Sequence, residues 1–442
     1  MLLIYTPRIT KRKKYIFDLL IYNLCGFKFE ITDNYEHYLN SNNPKFNYST
    51  GKISKDELFF FSYGFLDEKG VKPLDLEPAM FENVTTIFPS GSKKSSLPYD
   101  PFSAAFFFVS RYEEYLPFVK DEHGRFEANQ SFAYKNGFLE KPLVNHYALH
   151  IKKLIGEKYP ALKPDKENSF SFIPTYDVDV AYAFKAKGLF RTIGGYLKSI
   201  FEWDIERIKQ RTSVLAGKKP DPFDTFSFQL ELSKKHRITP CYFFLVGDYG
   251  AKDKNPSVNN IKYQKLIKTL GDYAITGIHP SYASNRNPEK LNDEIGRLSY
   301  VLNREIKHSR QHYLYLELPI TYQRLIQADI NYDFTMGFAS HTGFRAGICS
   351  PFLFYDLKNE SITSLLIYPL TVMDGTLKAY MKLNARRARE KVKKLIDEVY
   401  LLNGTFVTLW HNDSLCNCGQ WKGWKELYRE IFEYAAGKMS EK

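Results

Sequence analysis

The sequence has few cysteines and no long apolar run. It contains five cysteines in 442 residues: Cys25, Cys241, Cys349, Cys416 and Cys418. So few, and odd in number, they argue against a secreted disulfide framework and favour a reducing compartment. The apolar start, residues 1–5, is too short for a signal peptide of normal order, and the run 16–27 is too short to span a bilayer. We therefore expect a cytoplasmic protein, with peripheral contact to the inner membrane as a further expectation.

Several common functional motifs are also missing. The chain has no Gly-x-Gly-x-x-Gly, no Walker loop and no Gly-x-Ser-x-Gly, so nucleotide-phosphate binding and serine-hydrolase chemistry lack their usual support. The net charge is +12, but the basic residues are dispersed apart from clusters such as 11–14 and 386–391. The second cluster lies on a predicted helix with acidic neighbours, which is typical of a solvated face. No nucleic-acid partner is expected, whereas an anionic glycan or a membrane surface stays open.

The length and the pattern of apolar segments predict two domains. A small α/β domain is expected over residues 1–165, ending near Pro160 and Pro164. Over residues 166–442, about seven strand–helix repeats favour an α/β fold with a barrel-like parallel sheet rather than an open one. A basic, amphipathic insertion at 181–222 interrupts this rhythm. It is interpreted first as a lid, and second as a helix that docks on a membrane surface or a partner.

The most informative motif is Thr175-Tyr176-Asp177-Val178-Asp179, which ends an apolar strand with two carboxylates. The carboxyl ends of parallel strands are where α/β enzymes place their chemistry. One carboxylate of the pair can hold a divalent cation while the other accepts a proton from a metal-bound water. A turn or helix-capping pair is the alternative, because Asp is common at both positions.

Further polar groups follow other predicted strands. His279 ends one strand and is followed by small hydroxyl residues, and His411 ends the last strand, where it is a candidate general acid. Arg310 opens another strand segment, and Arg345 lies between glycines. Each arginine is predicted either to orient a carboxylate or substrate or to form a structural ion pair. The Cys-x-Cys pair at 416–418 lacks zinc-finger spacing, so structural cysteines are favoured there.

Taken in order, these motifs resemble those of the NodB-homology polysaccharide deacetylases, over roughly residues 168–435. The resemblance implies a distorted parallel (β/α) barrel and a divalent cation, with zinc expected. It implies Asp177 as the base and Asp179 and His279 as metal ligands. The Arg-bearing third motif is similar to Ser309-Arg310-Gln311-His312, and the closing motif is similar to Leu409-Trp410-His411, whose histidine is the implied acid.

One position departs from that family. Its second motif usually carries another His or Ser four residues after the first His, and this chain has Ala283 there. Ser284, a water or His312 is expected to supply the missing ligand. The resemblance implies a hydrolase that removes N-acetyl or O-acetyl groups from a glycan. The alternative is an inactive, deacetylase-like protein that binds glycans or acts as a scaffold. The first domain resembles an uncharacterised domain that precedes deacetylase-like domains in Bacteroidetes-type proteins, which implies no activity.

Overall fold

The computed structural model describes residues 1–440, and over this range the chain alternates short strands with helices. The strands are β1 Leu2–Tyr5, β2 Phe29–Thr32, β3 Lys45–Ser49, β4 Leu58–Phe61, β5 Ala79–Phe81, β6 Val84–Thr86, β7 Ser171–Val178, β8 Cys241–Phe244, β9 Ile275–Ile278, β10 His308–Ser309, β11 Tyr332–Asp333, β12 Phe352–Asp356, β13 Ser361–Ile367, β14 Val372–Met373 and β15 Thr405–His411. The α-helices are α1 Lys11–Phe17, α2 Tyr35–Asn40, α3 Pro101–Val109, α4 Phe132–Lys135, α5 Leu143–Lys158, α6 Gly188–Phe201, α7 Ile205–Leu215, α8 Phe226–His236, α9 Ile261–Gly271, α10 Pro288–Leu302, α11 Ile320–Gln327, α12 Ala385–Leu401 and α13 Trp424–Ser440.

The N-terminal part is built on a parallel four-stranded sheet in the order β2-β1-β3-β4. Every residue of β1 is buried, as expected for an apolar strand with both faces covered. Helix α3 is also buried along its whole length. Its first turn is fixed by Asp100, whose carboxylate accepts hydrogen bonds from the backbone N–H groups of Phe102 and Ser103 at 3.0 Å.

The C-terminal part is built on a nine-stranded sheet in the order β12-β13-β11-β10-β9-β8-β7-β15-β14. All its strand pairs are parallel except the β12–β13 hairpin, which the apolar pattern of the sequence did not predict. β7 lies between β8 and β15, in a register that places Asp177 opposite His411. The ends of these strands therefore bring the predicted polar residues to one edge of the sheet.

The strand order of this sheet is open. Additional hydrogen bonds link its two halves: the Leu370 N–H donates to Met336 O at 2.9 Å, and the Thr371 N–H donates to Val407 O at 3.1 Å. The segment between β13 and β14 thus forms backbone hydrogen bonds with the chain just after β11 on one side and with β15 on the other. The barrel remains a prediction, and these bonds favour it.

The two parts of the chain share a continuous apolar core, and buried ion pairs connect them. Arg345, one of the arginines left open by the sequence, donates from Nε to Glu114 Oε1 at 2.8 Å. Glu114 also accepts from Arg111 Nε at 2.7 Å. Arg345 is therefore a structural ion-pair residue at the junction. The predicted boundary at 165/166 falls between the two sheets and stays a prediction.

The cysteines divide into two groups. Cys25, Cys241 and Cys349 are buried thiols, while Cys416 and Cys418 form a disulfide across one intervening residue. That link closes a very short loop and does not amount to a framework that holds distant segments together. Among residues 1–440, no helix has both the length and the apolar character needed to cross a membrane.

Candidate metal and catalytic site

A cavity of about 270 Å³ lies at the edge where β7, β9, β14 and β15 end. Its lining combines polar groups from strand ends with side chains from three loops: Arg125, Asp177, Asp179, His279, His312, Tyr313, Leu314, Ala339, Met373, Gly375, Tyr380, Leu409 and His411. A larger cavity of about 1000 Å³ lies beneath the insertion, and no histidine lines it. The smaller cavity is therefore the one that holds the chemistry predicted from the sequence.

Asp179, His279 and His312 converge in this cavity. Each offers one ligand atom, and the three atoms lie within 4.8 Å of one another. His279 Nε2 is 3.1 Å from Asp179 Oδ1, and His312 Nε2 is 3.4 Å from Asp179 Oδ2. The structure thus brings together three of the four residues predicted as metal ligands.

The hydrogen bonds of the two histidines orient their lone pairs. His279 Nδ1 is 2.5 Å from Arg310 O, and because a carbonyl only accepts, Nδ1 carries the proton and Nε2 is unprotonated in the neutral ring. His312 Nδ1 is 2.9 Å from Asp253 Oδ1, the carboxylate–histidine arrangement that prepares a ring for metal binding. Both Nε2 atoms point toward Asp179.

The environment of Asp179 also fits a cation. Burial by itself raises the pKa of a carboxyl, but His312 and His279 outweigh it and hold the pKa of Asp179 well below its usual value. Its Oδ1 is buried and has no hydrogen-bond partner, so this oxygen is available to a cation. One carboxylate and two imidazoles form a donor set that suits a divalent ion such as zinc.

Asp177 sits beside this cluster and is held by Arg310. The Arg310 guanidinium donates from Nη1 to Asp177 Oδ1 at 3.0 Å and from Nε to Phe334 O at 3.0 Å. Arg310 is fully buried and lies over the ring of Phe243 at 4.7 Å. Asp177 Oδ2 is left 3.6 Å from His279 Nε2, next to the candidate metal position. Arg310 therefore positions Asp177 without lining the cavity.

His411 lies on the other side of Asp179 and is paired with Asp374. Asp374 Oδ1 is 2.8 Å from His411 Nδ1, and its Oδ2 accepts from the backbone N–H of His411 at 2.8 Å. Burial lowers the pKa of an imidazole, but the charge and hydrogen bond of Asp374 outweigh it and raise the pKa of His411 well above its usual value. The remaining nitrogen, Nε2, is 3.6 Å from Asp179 Oδ2 and is placed to donate a proton into the cavity.

Ser284, the fourth predicted ligand, does not line the cavity. Its hydroxyl donates to Ser281 O at 2.9 Å within its own turn. The neighbouring backbone N–H groups of Tyr282 and Ala283 donate to Asp253, at 2.8 and 3.3 Å, so the loop after β9 is tied to the carboxylate that orients His312. The role of Ser284 as a ligand stays a prediction, and His312 occupies the third position in the cluster.

The sequence analysis did not assign several residues of the site, among them Asp253, Tyr313 and Arg125. Asp253 lies in the loop after β8, far in sequence from the motifs, and no local pattern marks it. Tyr313 adopts a left-handed conformation with φ 62°, uncommon for a large side chain and typical of constrained functional positions. Arg125 comes from the N-terminal part, and its Nη1 donates to Tyr313 O at 2.6 Å. The polar loop that carries Arg125 is visible in the sequence, but its contact with Tyr313 is not.

Comparisons with known proteins add limited information. A model of a family of unknown function, DUF7033, matches residues 2–160, and no curated protein sequence matches the chain. Similar solved structures include a putative polysaccharide deacetylase from Mycobacterium smegmatis, with 11% identity, a TM-score of 0.41, and coverage of 62% of this chain and 86% of that one. The polysaccharide deacetylase Bc1974 from Bacillus cereus has 10% identity and a TM-score of 0.30, and the match covers 62% of this chain and 88% of that one. A probable polysaccharide deacetylase from Pseudomonas aeruginosa PAO1 has 11% identity and a TM-score of 0.36, and the match covers 60% of this chain and 84% of that one. At these scores the likeness decides neither fold nor function.

Proposed function

We propose that the protein is a metal-dependent hydrolase that removes acetyl groups, from nitrogen or oxygen, from a glycan. The observation that carries this proposal is the convergence of Asp179, His279 and His312 on one point, with Asp177 and His411 on either side of it. A metal site flanked by a candidate base and a candidate acid is the arrangement that hydrolysis of an amide or ester needs. The motif resemblance supports an acylated sugar as the substrate and a distorted barrel as the fold.

Asp179, His279 and His312 would hold the cation. When bound, a divalent ion supplies Lewis-acid polarisation of the acyl carbonyl and lowers the pKa of water toward about 7. The part played by Asp177 is given by its contacts. Its Oδ1 is occupied by Arg310, so Oδ2 is the oxygen left to accept the proton of the attacking water. Arg310 keeps that carboxylate in a fixed position, which makes it a positioning residue.

His411 supplies the proton at the end of the reaction. Asp374 accepts a hydrogen bond from Nδ1–H and fixes the ring, so Nε2 is the nitrogen that delivers its proton to the departing nitrogen or oxygen of the sugar. The raised pKa of His411 means that the ring is charged near neutral pH and able to act as an acid. Tyr313 and Tyr380 line the same cavity and offer ring faces of the kind that sugars pack against.

The decisive experiment is to measure metal bound to the purified full-length chain beside the Asp179→Ala, His279→Ala double variant, with circular dichroism as a check of folding. We expect about one divalent ion per chain in the wild type and a large loss in the variant. Acetate release from a panel of N-acetylated and O-acetylated glycans then tests catalysis. A folded wild-type chain that takes up no ion under metal-replete conditions contradicts the proposal and favours a glycan-binding or scaffolding protein.

A further inference from the structure

The insertion at 181–222 carries an apolar helix face that is turned toward solvent. In α6, Leu189, Ile193, Leu197 and Ile200 recur at intervals of three or four residues, and Phe190 and Phe201 extend the same stripe. All six side chains are exposed, with Phe190 at 89% and Phe201 at 83%. Trp203, 86% exposed, continues the patch beyond the helix. We call these seven residues the α6 patch. The apolar face of an amphipathic helix normally packs against the core, whereas in α6 this face is exposed to solvent.

The opposite face of α6 is the one fixed to the protein. Ser199 is buried, and the Arg211 guanidinium packs so closely on Gly195 that a Cβ there would lie 2.9 Å from it. Arg191 donates to the backbone carbonyls of Asn255 and Lys254, at 3.0 and 2.9 Å, and lies 4.0 Å from the ring centre of Tyr249. Because three contacts anchor the polar face, the helix cannot bury the α6 patch by rotating without losing all of them.

The insertion does not line the candidate site in this structure, and its role as a lid stays a prediction. None of residues 181–222, all of which the structure describes, lines the cavity of the candidate site. The insertion does leave β7 at the same end of the sheet as that site, two residues after Asp179. In this structure the insertion therefore lies outside the lining of the site.

The charges around the α6 patch indicate what covers it. From residue 182 to 201 the chain has four basic residues and no acidic one, and residues 181–222 as a whole carry nine basic and four acidic side chains. Three of the four acidic residues, Glu202, Asp204 and Glu206, follow directly, and Glu202 lies 3.6 Å from Lys198. A second copy of this chain would bring the same positive charge against its own, which opposes self-association. Exposed Phe, Trp and aliphatic side chains bordered by Lys and Arg match the boundary between acyl chains and anionic headgroups.

We propose that the α6 patch is a docking site for an anionic membrane surface, with the helix lying in the interface plane. Phe190, Phe201 and Trp203 enter the headgroup region, while Lys198 and Arg207 face the negative lipid charge. This inference stands apart from the proposed deacetylase activity, because it rests on exposure and charge at the insertion alone.

The test is co-sedimentation of the full chain with vesicles of phosphatidylcholine alone and of phosphatidylcholine mixed with phosphatidylglycerol. We expect binding to the mixed vesicles, weakened by salt. The Phe190→Ser, Phe201→Ser, Trp203→Ser variant is expected to bind at least about tenfold more weakly, since three apolar side chains no longer enter the interface. The matched control is Ile261→Ser, Tyr300→Ser, Leu401→Ser, which removes three comparably exposed apolar side chains elsewhere and is expected to bind like wild type.

A charge variant, Lys198→Glu with Arg207→Glu, separates the electrostatic contribution to binding from the apolar one. It is expected to lose selectivity for the phosphatidylglycerol vesicles. Light scattering on the same samples reports the oligomeric state. A wild-type chain that binds neither type of vesicle overturns the proposal, whether it is monomeric or forms a dimer that the triple α6 variant dissolves. Equal loss of binding in the triple variant and its matched control also overturns it.

Discussion

The candidate site has a floor and a rim that differ in origin. The floor consists of groups at or close to strand ends: Asp177, Asp179, His279, Arg310, His411 and, three residues beyond β10, His312. The rim comes from loops and includes Asp253, Tyr313 and Arg125, the last from the other part of the chain. Parallel strands fix the spacing of the residues at their ends, so the floor is set by the fold itself. The rim depends on how separate loops meet, and we infer that the floor supplies the reaction while the rim adjusts it.

The sharpest test of the floor is Asp177→Asn. The amide keeps the shape and an acceptor oxygen for Arg310 but cannot take a proton from water. We expect acetate release to fall by about 10²–10⁴-fold, the usual contribution of general acid–base catalysis, while metal content stays near that of the wild type. Steady-state assays with parallel metal analysis measure both. Full activity in this variant would remove Asp177 from the mechanism.

The first test of the rim is Asp253→Asn, which weakens the carboxylate that orients His312. Removal of such a partner typically costs about 10–100-fold in metal affinity. We expect a loss in that range, measured by competition with a chelating dye, with the overall fold unchanged. Asp248→Asn is the matched control, because Asp248 lies after the same strand but is exposed and pairs with Arg297 and Lys290. If the two variants bind metal equally, Asp253 has only a structural role.

Protons should compete with the metal at His312. Burial opposes the charged ring, but Asp179 and then Asp253 outweigh it and raise the pKa of His312 to about 9 in the metal-free chain. Since the raised pKa keeps the ring charged below about pH 9, metal binding must displace that proton. We expect affinity to rise about tenfold per pH unit up to that value, as for displacement of one proton. Calorimetry in buffers of different ionisation enthalpy counts the proton, and release of none would contradict the assignment.

The difference between floor and rim also describes what the sequence reveals. A polar residue at or just after the end of an apolar run can be recognised from neighbouring residues alone. This pattern indicated Asp177, Asp179, His279 and His411. The apolar pattern likewise indicated the alternation of strands and helices over residues 166–442. The β12–β13 hairpin, the third position of His312 and the role of Asp253 depend on contacts between residues far apart in sequence. The hydroxyl of Ser284 donates within the turn after β9, a local bond that its place in the sequence does not show, and its role as a ligand stays a prediction.

Arg125→Ala tests how far the rim matters. Arg125 is held by Asp121 at 2.7 Å and reaches Tyr313 O at 2.6 Å, so its loss frees the loop that carries Tyr313 but leaves Asp177 and His411 in place. We expect KM for a glycan substrate to rise several-fold, with a smaller change in kcat and none in metal content, because a rim residue contributes to substrate binding more than to the chemical step. Arg125→Lys, which keeps the charge but not the forked geometry, should restore only part of the loss. An equal fall in kcat for both variants would instead assign Arg125 to the reaction itself and remove the distinction between rim and floor.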